Sequence, residues 1–229
     1  MNIFKEIFLS IFETIIPRQC IFCGNNLNLN EKYFCSKCKT QYKYPDISTK
    51  DDFFMALMPH AKNICIMSWY EISKTAISNF KFNENLHDGR ILCKLLNDRL
   101  EEKDWINDID CIVPVPLSKK KLRQRGFNQC DIIAKQISKR FNIKVCKNNL
   151  IKIKNTKEQH KSKAQDRYLN ILGTFKVKDN KLFDDKNILL VDDVITTGST
   201  LIECCKTIHS VSPTAKIHIA ALSSNRQYI

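Results

Sequence analysis

The chain has 229 residues, which is enough for one α/β domain and a small additional module. Its hydrophobic share of 43% and charged share of 27% are ordinary for a globular protein and exclude the disordered and fibrous classes. The net charge of +13 favours a polyanionic partner: nucleic acid, phosphorylated metabolites or an anionic membrane surface. Eleven cysteines, an odd number, argue against a complete disulfide set, so we expect a cytoplasmic protein.

The first segment, residues 1–16, is predicted to be an amphipathic helix. Its apolar side chains recur at intervals of three and four residues: Phe4, Phe8, Ile11 and Ile15. Two acids interrupt the stretch and no small-residue cleavage site follows Pro17, which argues against a spanning helix and a signal peptide. Two interpretations stay open. The helix packs on the protein's own core, or it makes a peripheral contact with a partner or the inner membrane.

The second segment, residues 17–45, contains two C-x-x-C pairs. The four cysteines are Cys20, Cys23, Cys35 and Cys38. Eleven residues separate the pairs, a spacing that can supply four thiolates to one tetrahedral Zn²⁺. Gly24 directly follows the first pair, where a metal-binding turn tends to need positive φ. The alternative is four cysteines without a metal, and we interpret the other seven cysteines as core thiols.

Residues 46–229 are predicted to form an α/β domain with a mostly parallel sheet flanked by helices. The predicted strands are 64–69, 110–115, 150–153, 174–178, 187–191 and 216–222. The predicted helices are 88–101, 128–141 and 200–210. This alternation of strands and helices is typical of doubly wound α/β folds.

A basic run follows the proline-broken strand at 110–115. Its cations are Lys119, Lys120, Lys121, Arg123 and Arg125. At a strand end they indicate a polyanion site or, alternatively, a solvated basic loop. Phe127 has two interpretations: it stacks on a base, as in single-strand binding grooves, or it anchors the helix that follows.

The most informative stretch is residues 188–200. Four consecutive aliphatic residues predict a strand buried on both faces, and Asp192 and Asp193 follow at its carboxyl end, where α/β sheets bind ligands. Small and hydroxyl residues come next: Thr196, Thr197, Gly198, Ser199 and Thr200. Thr200 and Glu203 are predicted to form a capping box. Loop amides and the helix end suit a phosphate, and the acids suit a vicinal diol, which together describe a ribose 5-phosphate.

Other interpretations of this stretch are weaker. A strand ending in acids is also found in Walker B elements, but the chain has no G-x-x-x-x-G-K-[ST] loop and no G-x-G-x-x-G fingerprint. An acidic turn with no ligand would leave the hydroxyl- and glycine-containing loop unexplained.

Residues 191–200 resemble the phosphoribosyl-pyrophosphate (PRPP) motif of type I phosphoribosyltransferases. The double C-x-x-C, the proline–valine–proline at 114–116, the run at 125–129 and Phe80–Lys81–Phe82 narrow the likeness to the ComF family of competence proteins. Thr156 to Phe175 also resembles the family at matching intervals. The resemblance spans residues 17 to about 222 and implies a phosphoribosyltransferase fold with an N-terminal zinc module.

The resemblance also implies a PRPP–Mg²⁺ site. Asp192 and Asp193 would hold the ribose diol and serve as the catalytic carboxylates, and residues 196–200 would hold the 5-phosphate. The loop after the first core strand would hold the pyrophosphate: Pro116, Leu117, Ser118 and Lys119. The polar stretch at 156–170 would be a mobile loop, and Gln159 and Arg167 join the basic run as expected DNA contacts.

Three functions follow from these expectations. In the first, the protein binds PRPP and handles single-stranded DNA during natural transformation, with a competence helicase as partner. In the second, it is a catalytic phosphoribosyltransferase for an amine or nucleobase acceptor that the sequence does not identify. In the third, it is a zinc-containing scaffold whose pocket only senses PRPP or is empty.

Overall fold

The structure is a computed structural model, and it describes residues 18–42, 45, 58–82, 86–153 and 171–225. The predicted helix at 1–16 and the polar stretch at 156–170, with Gln159 and Arg167, lie outside these residues. No helix in the described ranges is long and apolar enough to cross a bilayer.

A five-stranded parallel sheet forms the centre of the α/β domain. Its strands are β1 (Ala61–Trp69), β2 (Cys111–Pro114), β3 (Lys144–Val145), β6 (Asn187–Ile195) and β7 (Lys216–Ser224), in the order β1-β7-β6-β2-β3. A separate antiparallel pair consists of β4 (Leu150–Lys152) and β5 (Phe175–Val177). The expected mostly parallel sheet is confirmed.

Helices cover both faces of this sheet. The described helices are α1 (Ser36–Gln41), α2 (Tyr70–Phe82), α3 (Leu86–Glu101), α4 (Lys119–Arg125), α5 (Gln129–Phe141) and α6 (Ser199–Val211), with 3₁₀ turns at Asp104–Asp108 and Asn180–Leu182. Of these, α2, α3, α5 and α6 cover the sheet. On β6, Leu189 and Val191 pack in one core cluster with α2, α3 and α5, while Ile188 and Leu190 pack in a second cluster with α6. Because both faces are buried, β6 is an uninterrupted aliphatic run.

Two expectations about elements are corrected. The basic run is not a solvated loop but helix α4, because the Ser118 side chain accepts a hydrogen bond from the Lys121 amide and Gly126 ends the helix with a φ of 75°. Strand β6 does not end before the aspartates: it stays paired with β7 as far as Ile195. On its other side, pairing with β2 ends at Val191, so the aspartates lie where β2 turns away.

The cysteine module packs on the first core cluster. Cys20, Ile21 and Phe22 are buried in that cluster together with residues of α2 and α3. The Tyr42 hydroxyl donates to the Met67 carbonyl of β1 at 3.3 Å. The module therefore adds its few apolar side chains to the domain's core instead of building its own.

Candidate functional site

The four predicted metal ligands come together in the structure. The Sγ atoms of Cys20, Cys23, Cys35 and Cys38 all lie within 4.8 Å of one another, and Cys23 and Cys35 are 3.7 Å apart. A tetrahedral Zn²⁺ with Zn–S bonds of about 2.3 Å requires sulfur separations of roughly 3.8 Å, so the four thiols fit zinc.

Local hydrogen bonds shape this cluster. The Gly24 amide donates to the Cys20 carbonyl at 2.8 Å, and Gly24 adopts the expected positive φ of 76°. Glu31 accepts bonds from the amides of Asn28 and Ser36, which holds the loop between the pairs. Burial alone would raise the pKa of Cys20, but backbone hydrogen bonds from Cys23 and Cys35 lower it to about 7, whereas burial and the neighbouring thiols raise the pKa of Cys38.

The two aspartates at the end of β6 have different surroundings. Asp193 Oδ2 lies 2.9 Å from Lys81 Nζ of α2, and the exposed fractions of the two side chains are 14% and 17%. Asp192 Oδ1 instead accepts hydrogen bonds from the Asp193 amide at 2.8 Å and from the Cys130 thiol at 3.6 Å. The site therefore pairs one acid with a cation and the other with neutral donors.

Burial makes Asp192 an unusual acid. Desolvation, followed by repulsion from Asp193, raises the pKa of Asp192 to about 7, although Lys81 and the Asp193 amide oppose the shift. Cys130 and Cys204, in α5 and α6, are buried thiols with raised pKa values, first because of burial and then because of neighbouring charges. Asp192 can therefore gain or lose a proton near neutral pH.

The hydroxyl-rich loop forms a tight turn into α6. Gly198 has a φ of 71°, a backbone conformation that favours glycine, whereas an added Cβ would meet only the flexible end of Met58, at 2.9 Å from Cε. Thr197 Oγ1 lies 2.8 Å from Ser199 Oγ. The capping-box prediction is wrong: α6 begins at Ser199, before Thr200, and Glu203 accepts from the distant Gly173 amide at 2.7 Å.

One small space adjoins these groups, and a larger cavity lies near them. The loop and Asp192 enclose about 20 Å³, close to the volume of one water molecule. A larger cavity of about 700 Å³ lies between the end of β2, α4 and β4. Its lining includes Pro116, Leu117, Lys119, Phe127 and Lys152, so three of the four residues assigned to pyrophosphate face one cavity.

Sequence patterns did not predict the contacts that three residues near the site make. Lys81 and Cys130 contact the aspartates, and Phe82, 65% exposed, carries the Arg125 guanidinium 4.9 Å above its ring. Phe127 is partly buried and its ring centroid lies 6.2 Å from that of Phe80, an arrangement that favours the anchoring interpretation over base stacking. The run at 80–82 was recognised as a family landmark, but its spacing did not indicate what Lys81 would touch.

Comparison with known families agrees with this geometry. A family model described as a phosphoribosyl transferase domain matches residues 128–229, which include α5, β6, α6 and β7. The match covers both aspartates and the loop that follows them.

Named relatives match over larger parts of the chain. Competence protein F of Haemophilus influenzae is 29% identical over 209 residues, covering 84% of this chain and 91% of that protein. DNA utilization protein YhgH of Escherichia coli K12 is 27% identical over 170 residues, covering 74% and 68%. Competence protein ComFC of Bacillus subtilis is 29% identical over 142 residues, and this chain spans only 55% of its length.

Proposed function

We propose that this chain, which belongs to the ComF family of competence proteins with a phosphoribosyltransferase fold, binds PRPP–Mg²⁺ and handles single-stranded DNA during natural transformation. The observation that carries the proposal is the juxtaposition of Asp192 and Asp193 with the glycine turn at the start of α6. The proposal includes a cytoplasmic location and a competence helicase as partner, with residues 3–16 packing on the protein's own core or contacting the inner membrane.

The ligand class follows from the donor and acceptor groups. Carboxylate oxygens accept hydrogen bonds from a vicinal diol, and the amides and hydroxyls at the start of a 13-residue helix favour a phosphate. Since the loop encloses only about 20 Å³, we propose that it opens or that the 5-phosphate binds at its outer rim. The pyrophosphate would lie in the larger cavity near Lys119, with Mg²⁺ bound mainly through phosphate oxygens.

Calorimetric titration of PRPP with Mg²⁺ into zinc-loaded protein tests this site. We expect saturable binding in the wild type and its loss in Asp192→Asn/Asp193→Asn. The control Asp104→Asn/Asp108→Asn removes the same charge from exposed positions and should bind normally. Absence of binding in the wild type, or unchanged binding in the first double variant, would refute the proposed site.

The DNA-binding proposal rests on α4 and its neighbours. The helix carries Lys119, Lys120, Lys121, Arg123 and Arg125 and contains no acidic residue. Beside it, the exposed Phe82 ring with Arg125 above it offers an aromatic and guanidinium surface on which a base can stack. Cations for phosphates and a stacking surface for bases are the two parts that single-strand binding needs.

Fluorescence anisotropy with a labelled oligothymidine tests the DNA surface. We expect affinity to fall steeply with salt, and Phe82→Ala and Arg125→Gln each to weaken binding about 5- to 50-fold. Arg125→Lys keeps the charge but loses the planar stack, so it should be intermediate. Lys144→Gln, at the exposed start of β3, is the matched control. Salt-independent binding, or equal effects of all variants, would contradict the proposal.

Catalytic phosphoribosyl transfer is the second candidate, favoured by the cavity of about 700 Å³ at the end of β2, whose lining residue Lys152 lies close enough to Asp192 to sense its charge. This space is large enough for an amine or nucleobase acceptor as well as pyrophosphate. Pyrophosphate release from PRPP on addition of candidate acceptors measures it directly. Binding of PRPP without release across a broad acceptor panel would favour a ligand-sensing role.

A further inference from the structure

The ion pair between Lys81 and Asp193 joins two elements that are far apart in sequence. Lys81 lies at the end of α2, Asp193 lies in β6, and their charged atoms are 2.9 Å apart. Both side chains are mostly shielded from solvent, so the pair is screened less than a surface ion pair would be. A mostly buried ammonium group does little for solubility, so its role is to be sought in the neighbouring proposed sugar-phosphate site.

Packing fixes the position of Lys81 from two sides. Phe80 is fully buried against Gly89 of α3, where an added Cβ would lie only 2.5 Å from its ring. On the other side, Gln129 Nε2 donates to the Lys81 carbonyl at 3.3 Å, while Gln129 Oε1 accepts from Arg125. The backbone that carries Lys81 is thus held by α3 and α5, and its side chain extends to the carboxylate site.

We propose that Lys81 is a positioning residue of the carboxylate site, orienting Asp193 for a ligand diol and adding the positive charge that a sugar phosphate requires. This inference rests on the proposed function of the same site. Lys81 engages Asp193 Oδ2, which leaves Oδ1 as the oxygen that we assign to a ribose hydroxyl. The ammonium also neutralises one of two adjacent carboxylates, which would otherwise repel a phosphorylated ligand.

Lys81 also affects the neighbouring acid, and this gives the inference a specific readout. Its charge favours the ionised form of Asp192, whose pKa burial and Asp193 raise to about 7. The titratable and charged groups facing Asp192 are Asp193, Lys81, Cys130, Cys204 and Lys152. Removing the Lys81 charge raises the pKa of Asp192 further, so a ligand that needs the carboxylate should bind only at higher pH.

The test titrates PRPP–Mg²⁺ by calorimetry between pH 6 and 9 into wild type, Lys81→Met, Lys81→Arg and Lys74→Met. Methionine keeps the length of the side chain without its charge, and Lys74 is an exposed control on the same helix. We expect Lys81→Met to weaken binding at least 10-fold at pH 7.5 and to move the binding midpoint about one pH unit upward. Lys81→Arg should stay within about threefold of wild type, and Lys74→Met should be unchanged.

Two outcomes separate this inference from the function on which it rests. If the wild type binds and Lys81→Met has the same affinity and pH midpoint, the role of Lys81 is overturned while the proposed site stands. If the wild type does not bind, the proposed function fails, and the Asp192 carboxyl is then titrated by ¹³C NMR without ligand. An unchanged Asp192 midpoint in folded Lys81→Met would overturn the electrostatic role independently.

Discussion

The cysteine module and the carboxylate site obtain their geometry in opposite ways. In the module, four thiols converge in a segment with few apolar residues, so a bound metal would supply much of its stability. At the end of β6, the packing of the sheet and helices shields the consecutive residues Asp192 and Asp193 from solvent, and the resulting desolvation and repulsion cost stability. The functional groups of the cysteine module would therefore stabilise it, whereas those of the carboxylate site lower the stability of the folded domain.

Removal of zinc is the experiment with the largest expected effect on this comparison. Structural zinc contributes roughly 10–16 kcal/mol of apparent binding energy in small modules, so chelation should unfold residues 18–42. The sheet should keep a cooperative transition at reduced stability, because most of its core lies outside the module but Ile21 and Phe22 would leave that core. Hydrogen exchange with and without a chelator measures both regions in one experiment.

The control for zinc removal is Cys93→Ala, which alters a buried thiol in α3 that lies outside the cysteine cluster. It should leave zinc content at one per chain. Protection of residues 18–42 that survives complete zinc loss would show that docking on the core, not metal, holds the module.

Asp192→Asn should stabilise the folded protein, since it removes the charge that the site buries at a cost. The folded pKa of Asp192, about 7, exceeds the unfolded value near 4, so the native state holds the extra proton between these pH values. Stability from this group is therefore lost as pH rises from about 4 to 7. We expect a gain of roughly 2–4 kcal/mol at pH 8 and little at pH 4, measured by urea unfolding.

The same series with Asp104→Asn, which replaces an exposed acid, should show no such gain at pH 8. If Asp192→Asn destabilises the protein at pH 8, burial of the ionised Asp192 carboxylate does not lower the stability of the folded protein.

Two glycine substitutions compare the cost of an added methyl group in the α/β domain with its cost in the cysteine module. Gly89→Ala should lose about 1–3 kcal/mol because the added Cβ meets the buried Phe80 ring at 2.5 Å. Gly24→Ala has open space around its Cβ but a φ of 76°, so its cost of about 1–2 kcal/mol is conformational. Thermal unfolding measures the first, and zinc affinity measures the second.

Combining Gly89→Ala with Phe80→Leu separates the two causes. The smaller side chain should recover part of the stability lost in Gly89→Ala, whereas Gly24→Ala should not respond to Phe80→Leu. Strictly additive effects at positions 80 and 89 would contradict the steric explanation.

His218 of β7 gives the smallest expected effect. Burial lowers its pKa to about 4, below the unfolded value near 6.5, and its Nδ1 lies 3.0 Å from Asn63 Nδ2. Stability from the neutral ring is present above pH 6.5 and is lost as pH falls towards 4. His218→Gln should reduce the loss between pH 7 and 5 by about 1–2 kcal/mol, as measured by urea unfolding. An unchanged pH profile would mean that other groups dominate acid sensitivity.

Sequence patterns predicted the elements whose signals are local. The aliphatic run at 188–191 identified a buried strand, and the spacing of the cysteines identified the cluster of four thiols that could hold a metal. The contact between Lys81 and Asp193 could not be predicted, because the two residues are 112 positions apart in sequence. Their contact depends on how α2 packs against the sheet. The capping box failed for a related reason: Glu203 finds its partner at Gly173, not in its own first turn.

Helix α4 shows the opposite case, in which a local signal was available but given too little weight. Lysine, arginine, leucine and glutamine are all good helix formers, and a serine before them with a glycine after them marks both ends. The high charge of the run left a solvated loop open as one interpretation, although a short charged helix can have the same composition.

The strand order has a consequence for how this chain folds as it is synthesised. Strand β7, residues 216–224, lies between β1 and β6, and it pairs with β1 across about 155 positions of sequence. Until β7 has left the ribosome, both β1 and β6 expose unpaired edges that invite aggregation. Such long-range pairing slows folding, so we expect chaperone demand to last until residues 216–224 have been synthesised. A stop codon before residue 216 would remove an interior strand of the sheet and not merely a tail.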